Sequence, residues 1–306
     1  MLISVCICTF RRPALLLELL DAVGRQQRTG LGECIEIVVV DNDPGHSAQE
    51  AVTLWHSPPG FQLVWLQVPE PNISVARNAA THQATGEWIV FVDDDETPVD
   101  NWLLSLMNAQ RSFQADAVFG PVLPHYAPQT PDWIREGAYF ERRRFPSGMM
   151  IDEADARTGN VLINARRLKS INGPFEPSFG RTGGEDSVLF RDLLALGCTF
   201  VWCDEACVSE AVPLERANAA WLLRRSFRVG QTWLRAELYR LPVSKKIVRG
   251  VMLGCRAGVQ LVVSTGLALV WLPLGRSKSF HWMRVATMQA GKIVGLTRFQ
   301  YHEYGA

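Results

Sequence analysis

Asp93, Asp94, Asp95 and Glu96 follow directly on the apolar run Trp88-Ile89-Val90-Phe91-Val92. Carboxylates this close repel one another, so a site that keeps them ionised usually supplies a divalent cation. The competing reading is a solvated loop that caps a helix over Asp100–Ser112, because carboxylates are common at helix starts. Other polar groups stand in the same relation to predicted elements. Thr9-Phe10-Arg11-Arg12 closes a first strand, Asp41-Asn42-Asp43 closes a second, and Gly183-Gly184-Glu185-Asp186 opens a later helix. In a parallel sheet such strand ends converge on one edge, where open α/β folds bind ligands. Cys198, Cys203 and Cys207 lack both the paired CxxC spacing and an obvious fourth zinc ligand, which favours packing.

The elements that must position these groups are read from hydrophobic periodicity. Leu2–Cys8, Ile35–Val40, Phe61–Val68 and Trp88–Val92 are short β-rich runs, and Ala14–Gln26, Ser47–Trp55 and Ser74–Ala84 have helical spacing. Strands alternating with helices call for a mainly parallel sheet covered on both faces. Ala117–Val122 and residues 158–164 read as further strands, and Asp186–Leu196 reads as a helix closed by Gly197. Between them, residues 124–155 are rich in Pro, Arg and aromatics without periodicity, as in a functional loop or substrate lid.

The chain has 306 residues, enough for one large domain or a domain with an appendage. Basic and acidic residues balance at 31 each, which argues against a nucleic-acid partner. Seven cysteines, several inside apolar runs, fit a reducing cytosolic compartment. Arg11-Arg12-Pro13 follows the apolar amino terminus instead of preceding it, the wrong order for a signal peptide. The composition shifts near Pro213, dividing an α/β unit, residues 1–213, from a helical, basic and apolar region, residues 214–306. Within the latter, Ala257–Leu274 carries no charge and is flanked by Lys245, Lys246, Arg249 and Arg256 on one side and Arg276 and Lys278 on the other. That pattern suits a helix that lies on or enters an anionic membrane, with a span or a buried helix as alternatives.

Five motifs carry a resemblance: Ser4-Val5-Cys6-Ile7-Cys8-Thr9-Phe10-Arg11-Arg12, Val38-Val39-Val40-Asp41-Asn42, Ala76-Arg77-Asn78-Ala79, Phe91-Val92-Asp93-Asp94-Asp95 and Gly184-Glu185-Asp186. Together they resemble the inverting nucleotide-sugar glycosyltransferases of family 2, which have the GT-A fold, a mostly parallel sheet flanked by helices. Pro69-Glu70-Pro71-Asn72-Ile73 and the Gly183–Asp186 stretch further resemble bacterial glucosyltransferases that build lipid-linked exopolysaccharide repeats of the succinoglycan type.

The resemblance implies a UDP-sugar donor and a polyprenyl-diphosphate-linked or other glycan acceptor, with the enzyme at the cytoplasmic face of the inner membrane. It implies that Thr9 and Asp41 meet the uracil and ribose, Arg77 and Asn78 the diphosphate or sugar, and Asp93 the ribose or sugar, with Arg11 a further donor contact. Asp95 would bind Mn²⁺ or Mg²⁺ at the diphosphate, with Glu210 standing where many relatives place a histidine ligand. Of the pair Glu185 and Asp186, the latter would be the base that takes the acceptor hydroxyl's proton, as inversion requires. Gly183 and Gly184 would let backbone approach the sugar. Trp133, Tyr139 and Phe140 are candidates for an acceptor wall, and Arg142, Arg143 and Arg144 for contacts to a lipid diphosphate. A nucleotidyltransferase-type α/β enzyme and a non-catalytic sugar-nucleotide-binding scaffold are the alternatives. The absence of a Gly-rich, lysine-ended phosphate loop weighs against the first, and the retained Asp95 and Asp186 weigh against the second.

Overall fold

The computed structural model describes residues 2–27, 30 and 34–297; residues 1, 28, 29, 31–33 and 298–306, which the two expected regions include, lie outside it. The chain begins as β1 (Ile3–Thr9), α1 (Pro13–Gly24), β2 (Ile35–Asp41), α2 (Gln49–Leu54), β3 (Phe61–Gln67), α3 (Ile73–Gln83) and β4 (Trp88–Val92). Then come β5 (Glu96–Pro98), α4 (Trp102–Phe113), β6 (Ala117–Phe119), β7 (Val122–Tyr126), α5 (Asp132–Glu136), β8 (Asn160–Asn164) and α6 (Ala165–Lys169). A 3-10 turn at Pro177–Phe179 leads to α7 (Glu185–Ala195), β9 (Phe200–Trp202) and β10 (Val208–Val212). Three helices end the described chain: α8 (Ala219–Leu238), α9 (Val243–Trp271) and α10 (Arg276–Val294).

A seven-stranded sheet has the order β3-β2-β1-β4-β8-β6-β9, and only β8 runs against the others. Its strands read as continuous apolar runs because both faces are covered. In β1, Ile3, Val5 and Ile7 enter the core beneath α1 and α4, while Cys6 enters the one beneath α3, α6 and α7. β2 and β4 divide their side chains the same way, Val39 and Val90 to one layer, Val40 and Phe91 to the other. The strand order reverses between β1 and its neighbours β2 and β4, so the carboxyl ends of β1 and β4 open a crevice at a topological switch point.

The expected strand Ala117–Val122 is two strands in two sheets. Gly120 and Pro121 separate them, and a Cβ at Gly120 would stand 2.2 Å from the Ala206 carbonyl oxygen. β7 joins a small sheet of order β5-β10-β7, which carries Glu210 beside the main crevice. The stretch 124–155 is therefore not wholly irregular, since it contributes the end of β7 and all of α5.

Of the three closing helices, α8 and α10 pack directly on the α/β unit, and α9 packs on those two. Leu222 and Phe280 join Ile134, Tyr139 and Val212 in a third hydrophobic cluster, Tyr139 donates to the Ser277 carbonyl (2.6 Å), and Thr232 donates to the Thr182 carbonyl (3.0 Å). α8 and α10 touch at their backbones. A Cβ at Gly230 would lie 2.0 Å from the Met288 oxygen, and one at Gly291 would lie 2.0 Å from the Phe227 oxygen. α9 begins well before the expected apolar run and ends at Trp271. By length and composition it could cross a membrane, and only 22% of its most apolar window is buried. Val248, Val251, Val259, Val262 and Leu269 form an exposed stripe at helical spacing, opposite the buried Gly250, Leu253, Ala257, Ser264 and Ala268.

Candidate active site

The crevice at the ends of β1 and β4 is a cleft of about 390 Å³. Thr9 and Arg12 come from the end of β1, Arg77 from α3, Asp93, Asp94 and Asp95 from the loop after β4, Glu185 and Asp186 from the start of α7, and Glu210 from β10. Local chemistry sets each element's start. Asn72 caps α3 by accepting from the Ser74 and Val75 amides, which puts Arg77 one turn into the helix. Gly183 and Gly184 hold φ of +82° and +100°, a left-handed backbone that glycine adopts without strain, and α7 starts immediately afterwards. A Cβ at Gly184 would stand 2.6 Å from Thr232 Cγ2. The close approach of Gly184 is to α8, while both glycines also line the cleft.

Arg77 is the buried crosslink of the site. One nitrogen donates to Glu185 Oε1 at 2.6 Å and the other to Asp93 Oδ1 at 3.2 Å. Burial works against the Arg77 charge, but Asp93 and Glu185 more than restore it, and its pKa is raised. Glu185 is pushed up to about 7, first by burial, against the pull of Arg77 and with added repulsion from Asp186. Its Oε2 is buried with no hydrogen-bond partner among the described residues. Asp186 lies beside it on the cleft wall, with Oδ1 accepting from the Ser187 amide at 2.7 Å.

The three aspartates divide their work. Asp93 is the most exposed of them. Asp94 turns inward and accepts from Thr9 (2.8 Å) and Arg12 (3.0 Å), tying the loop to β1; burial, opposed by Arg12 and reinforced by Asp95, pushes its carboxyl up to about 6. Asp95 pairs with Arg12 at 2.8 Å and faces the cleft. Glu96, which sequence reasoning left without a role, is buried beneath them. One oxygen accepts from the Asp93 amide at 3.0 Å, the other has no partner among the described residues, and burial together with Asp93 holds its pKa well above the ordinary value.

Three expected donor contacts stand outside the cleft wall. Asp41 is fully buried and accepts from the Asp43 and Ala48 amides, so its carboxylate shapes the loop after β2. Asn78 exchanges two hydrogen bonds with the Phe175 backbone. Arg11 points to solvent and pairs with Asp43 at 3.0 Å. Asn42, Asn72, Arg216 and Arg228 line the cleft without having been singled out. Asn42 and Asn72 stood within quoted motifs and could have been suspected; Arg216 and Arg228 come from distant chain.

Trp133, Tyr139 and Phe140 do not line the cleft either. They pack with Phe280 and Trp221 in the third hydrophobic cluster, since large aromatics gain more from burial at the junction with α8 and α10. Arg143 and Arg144 pair with Asp155 and Asp204 near the surface, and only Arg142 of the three reaches the cleft.

No group of three or more His, Cys, Asp or Glu side chains is gathered as a ligand set among the described residues, the cysteines of 198–207 included. A magnesium-type site needs less, because that ion commonly takes one or two carboxylates and completes its shell with substrate phosphates and water. Asp95 and Glu210 are oxygen donors on the same cleft. Burial raises the pKa of Glu210, Arg142 opposes the rise and Asp95 adds to it, so a hard cation between the two carboxylates would relieve their repulsion. The donor chemistry fits such an ion.

Comparison with known proteins agrees with this geometry. The family model described as glycosyl transferase family 2 matches residues 4–169. The chain is 33% identical over 311 residues to the succinoglycan biosynthesis protein ExoM of Rhizobium meliloti (strain 1021), spanning 99% of this chain and 96% of that protein. It is 25% identical over 170 residues to a glucosyl-dolichyl phosphate glucuronosyltransferase of Haloferax volcanii, spanning 52% of this chain and 54% of that one. Among solved structures, S. aureus TarS 1-349 in complex with UDP superposes with a TM-score of 0.53 at 15% identity, covering 96% of this chain and 91% of that one, which is a likeness of GT-A fold.

Proposed function

The chain belongs to glycosyl transferase family 2, and from that premise we propose that it moves a hexose, glucose by the narrower resemblance, from a UDP-sugar to a lipid-linked oligosaccharide or other glycan with inversion at the anomeric carbon. The observation that carries this reading is Arg77, which bonds the acidic pair of α7 at Glu185 and the aspartate loop at Asp93 across one cleft. Inversion needs a base on the face of the sugar opposite the leaving group. Asp186 serves as that base, taking the acceptor hydroxyl's proton as its oxygen attacks. Glu185 positions it by holding Arg77, and Asp93 and Arg77 orient the sugar diphosphate. Asp95 and Glu210 would hold Mn²⁺ or Mg²⁺, which when bound supplies Lewis-acid neutralisation of the departing nucleotide diphosphate.

The full-length likeness to a succinoglycan biosynthesis protein supports a role in exopolysaccharide or cell-surface polysaccharide synthesis. The exposed apolar stripe of α9 supports attachment to the cytoplasmic face of a membrane, where a lipid-linked acceptor would be met.

A panel of nucleotide sugars, assayed with Mn²⁺ for binding and transfer, tests the reading. A UDP-hexose is expected to bind best, and Asp186→Asn to abolish transfer while donor affinity stays within about threefold, since a base acts in the transition state. Turnover retained in Asp186→Asn would remove that residue from the role of base, and failure of every nucleotide sugar to bind would overturn the reading.

A further inference from the structure

Around Glu210 the site runs into arginines. Arg142 and Arg228 line the cleft, with Arg225 and Arg284 behind them on α8 and α10. The Arg225 guanidinium lies 5.2 Å from the Trp221 ring centre and 5.9 Å from that of Phe140, and Arg284 lies 4.8 Å from that of Tyr139. Aromatic faces of this kind hold a guanidinium plane rigidly without consuming its N–H donors. Among the described residues Glu210 is the carboxylate that acts on Arg225, and it also bonds Arg142 at a long 3.4 Å. Arg142, Arg228 and Arg284 stand close enough to Arg225 for their like charges to be felt there, in a partly buried place.

Loss of water lowers the Arg225 pKa to about 10, Arg142 adds to the fall, Glu210 opposes it, and Arg228 and Arg284 lower it further. Arg284 is lowered by burial as well. Folding has thus gathered like charges whose repulsion an anion would remove, and planar guanidinium forks match the oxygens of a phosphate or diphosphate.

We propose that Arg225 and Arg284, with Arg142 and Arg228 at the cleft edge, form a diphosphate-binding site for the headgroup of a lipid-linked acceptor. The proposal deepens the transferase reading given above and rests on it. A donor's diphosphate is the other source of the same chemistry. Position favours the acceptor, because the cluster sits on α8 and α10, and α10 is tied to the apolar α9 where Ser279 donates to the Ala268 carbonyl at 2.8 Å. A lipid-anchored chain resting along α9 would meet these arginines before its sugar reached Asp186.

Binding of farnesyl diphosphate, inorganic pyrophosphate and UDP to the full chain separates the sources. Farnesyl diphosphate and pyrophosphate are expected to bind the native chain and to weaken by about tenfold or more in Arg225→Gln and in Arg284→Gln, the scale of one lost charge-assisted contact. UDP affinity is expected to stay within about twofold in both, because Arg225 and Arg284 stand behind the residues that line the cleft. Arg225→Lys keeps the charge and the aliphatic stem but not the planar fork, so partial recovery of pyrophosphate binding is expected there, which guards against a merely unfolded glutamine variant. A parallel loss of UDP and farnesyl diphosphate would assign the arginines to the donor and overturn the proposal, as would no binding by the native chain or unchanged binding in both variants. Farnesyl diphosphate bound by a chain that takes no nucleotide sugar would refute the transferase reading alone and leave the anion site standing.

Discussion

The Arg77 guanidinium sits 2.6 Å from Glu185 Oε1, although 108 positions of chain separate the two residues. This contact fixes α7 to α3 and sets a pH dependence. Glu185 is raised to about 7, by burial first, with Arg77 pulling it down and Asp186 pushing it up. As pH rises through 7 the folded protein's carboxyl becomes charged and tightens its hold on Arg77, so kcat/KM is expected to climb there. The sign for stability is the reverse. A raised carboxyl favours the folded state at pH below its ordinary value, and that gain is lost as pH passes through 7. Glu185→Gln should remove the limb near pH 7 from a kcat/KM profile. A limb unchanged in that variant would detach Glu185 from the pH response.

Asp95 is held by Arg12 at 2.8 Å, so its loss should not collapse the loop, which Asp94 anchors separately through Thr9. Asp95→Ala is therefore expected to fold normally and to lower metal-dependent donor affinity about tenfold or more, with chelation of the native protein doing the same. Calorimetric titration with the UDP-sugar, with and without Mn²⁺, measures both. Full activity after chelation would sink the metal proposal.

For α9, truncation after Pro213 is a poor test, because it would strip Leu222 and Phe280 from a shared hydrophobic cluster and damage the catalytic unit. Charges on the exposed stripe are cleaner. Val259→Glu with Val262→Glu replaces side chains that are 66% and 73% exposed, so folding should be spared. Sedimentation with vesicles containing phosphatidylglycerol is expected to fall by about tenfold, given the high cost of setting charge into lipid. Equal partitioning of native and variant chains would remove α9 from membrane attachment.

At Gly291 a methyl group has nowhere to go, since its Cβ would stand 2.0 Å from a backbone oxygen that no rotamer change can move. Gly291→Ala is expected to cost about 1–3 kcal/mol, as overpacking generally does. Denaturant unfolding should show it as a lower midpoint, while Gly266→Ala, where a Cβ meets nothing within 4 Å, should not.

How much of this was legible depended on whether one residue type had one use. Val38-Val39-Val40 and Ile89-Val90-Phe91 are short, β-branched or aromatic runs that end in turn-forming Asp and Asn, so they read as strands buried on both faces and the α/β sheet followed from them. β5 and β9 have three residues each, too few for a period to register. Asp41 and Asn78 illustrate a different limit, because an oxygen that can meet a ribose can equally satisfy backbone amides, and in the fold it does. The aromatics from Trp133 to Phe140 were ambiguous in the same way, and burial at the junction with α8 and α10 decided their place. Arg225 and Arg284 belong to elements 59 positions apart, and nothing short of folding brings them together.

The reciprocal glycines of α8 and α10 have a consequence for reach. Backbones that meet at Gly230 and Gly291 leave no room for a side chain between α8 and α10, and α10 bonds α9 through Ser279. α8 in turn bonds the loop before α7 where Thr232 donates to the Thr182 carbonyl, so a continuous packed seam joins Asp186 to α9. If α9 lies on lipid, that seam would set the height above the lipid at which an acceptor hydroxyl meets Asp186.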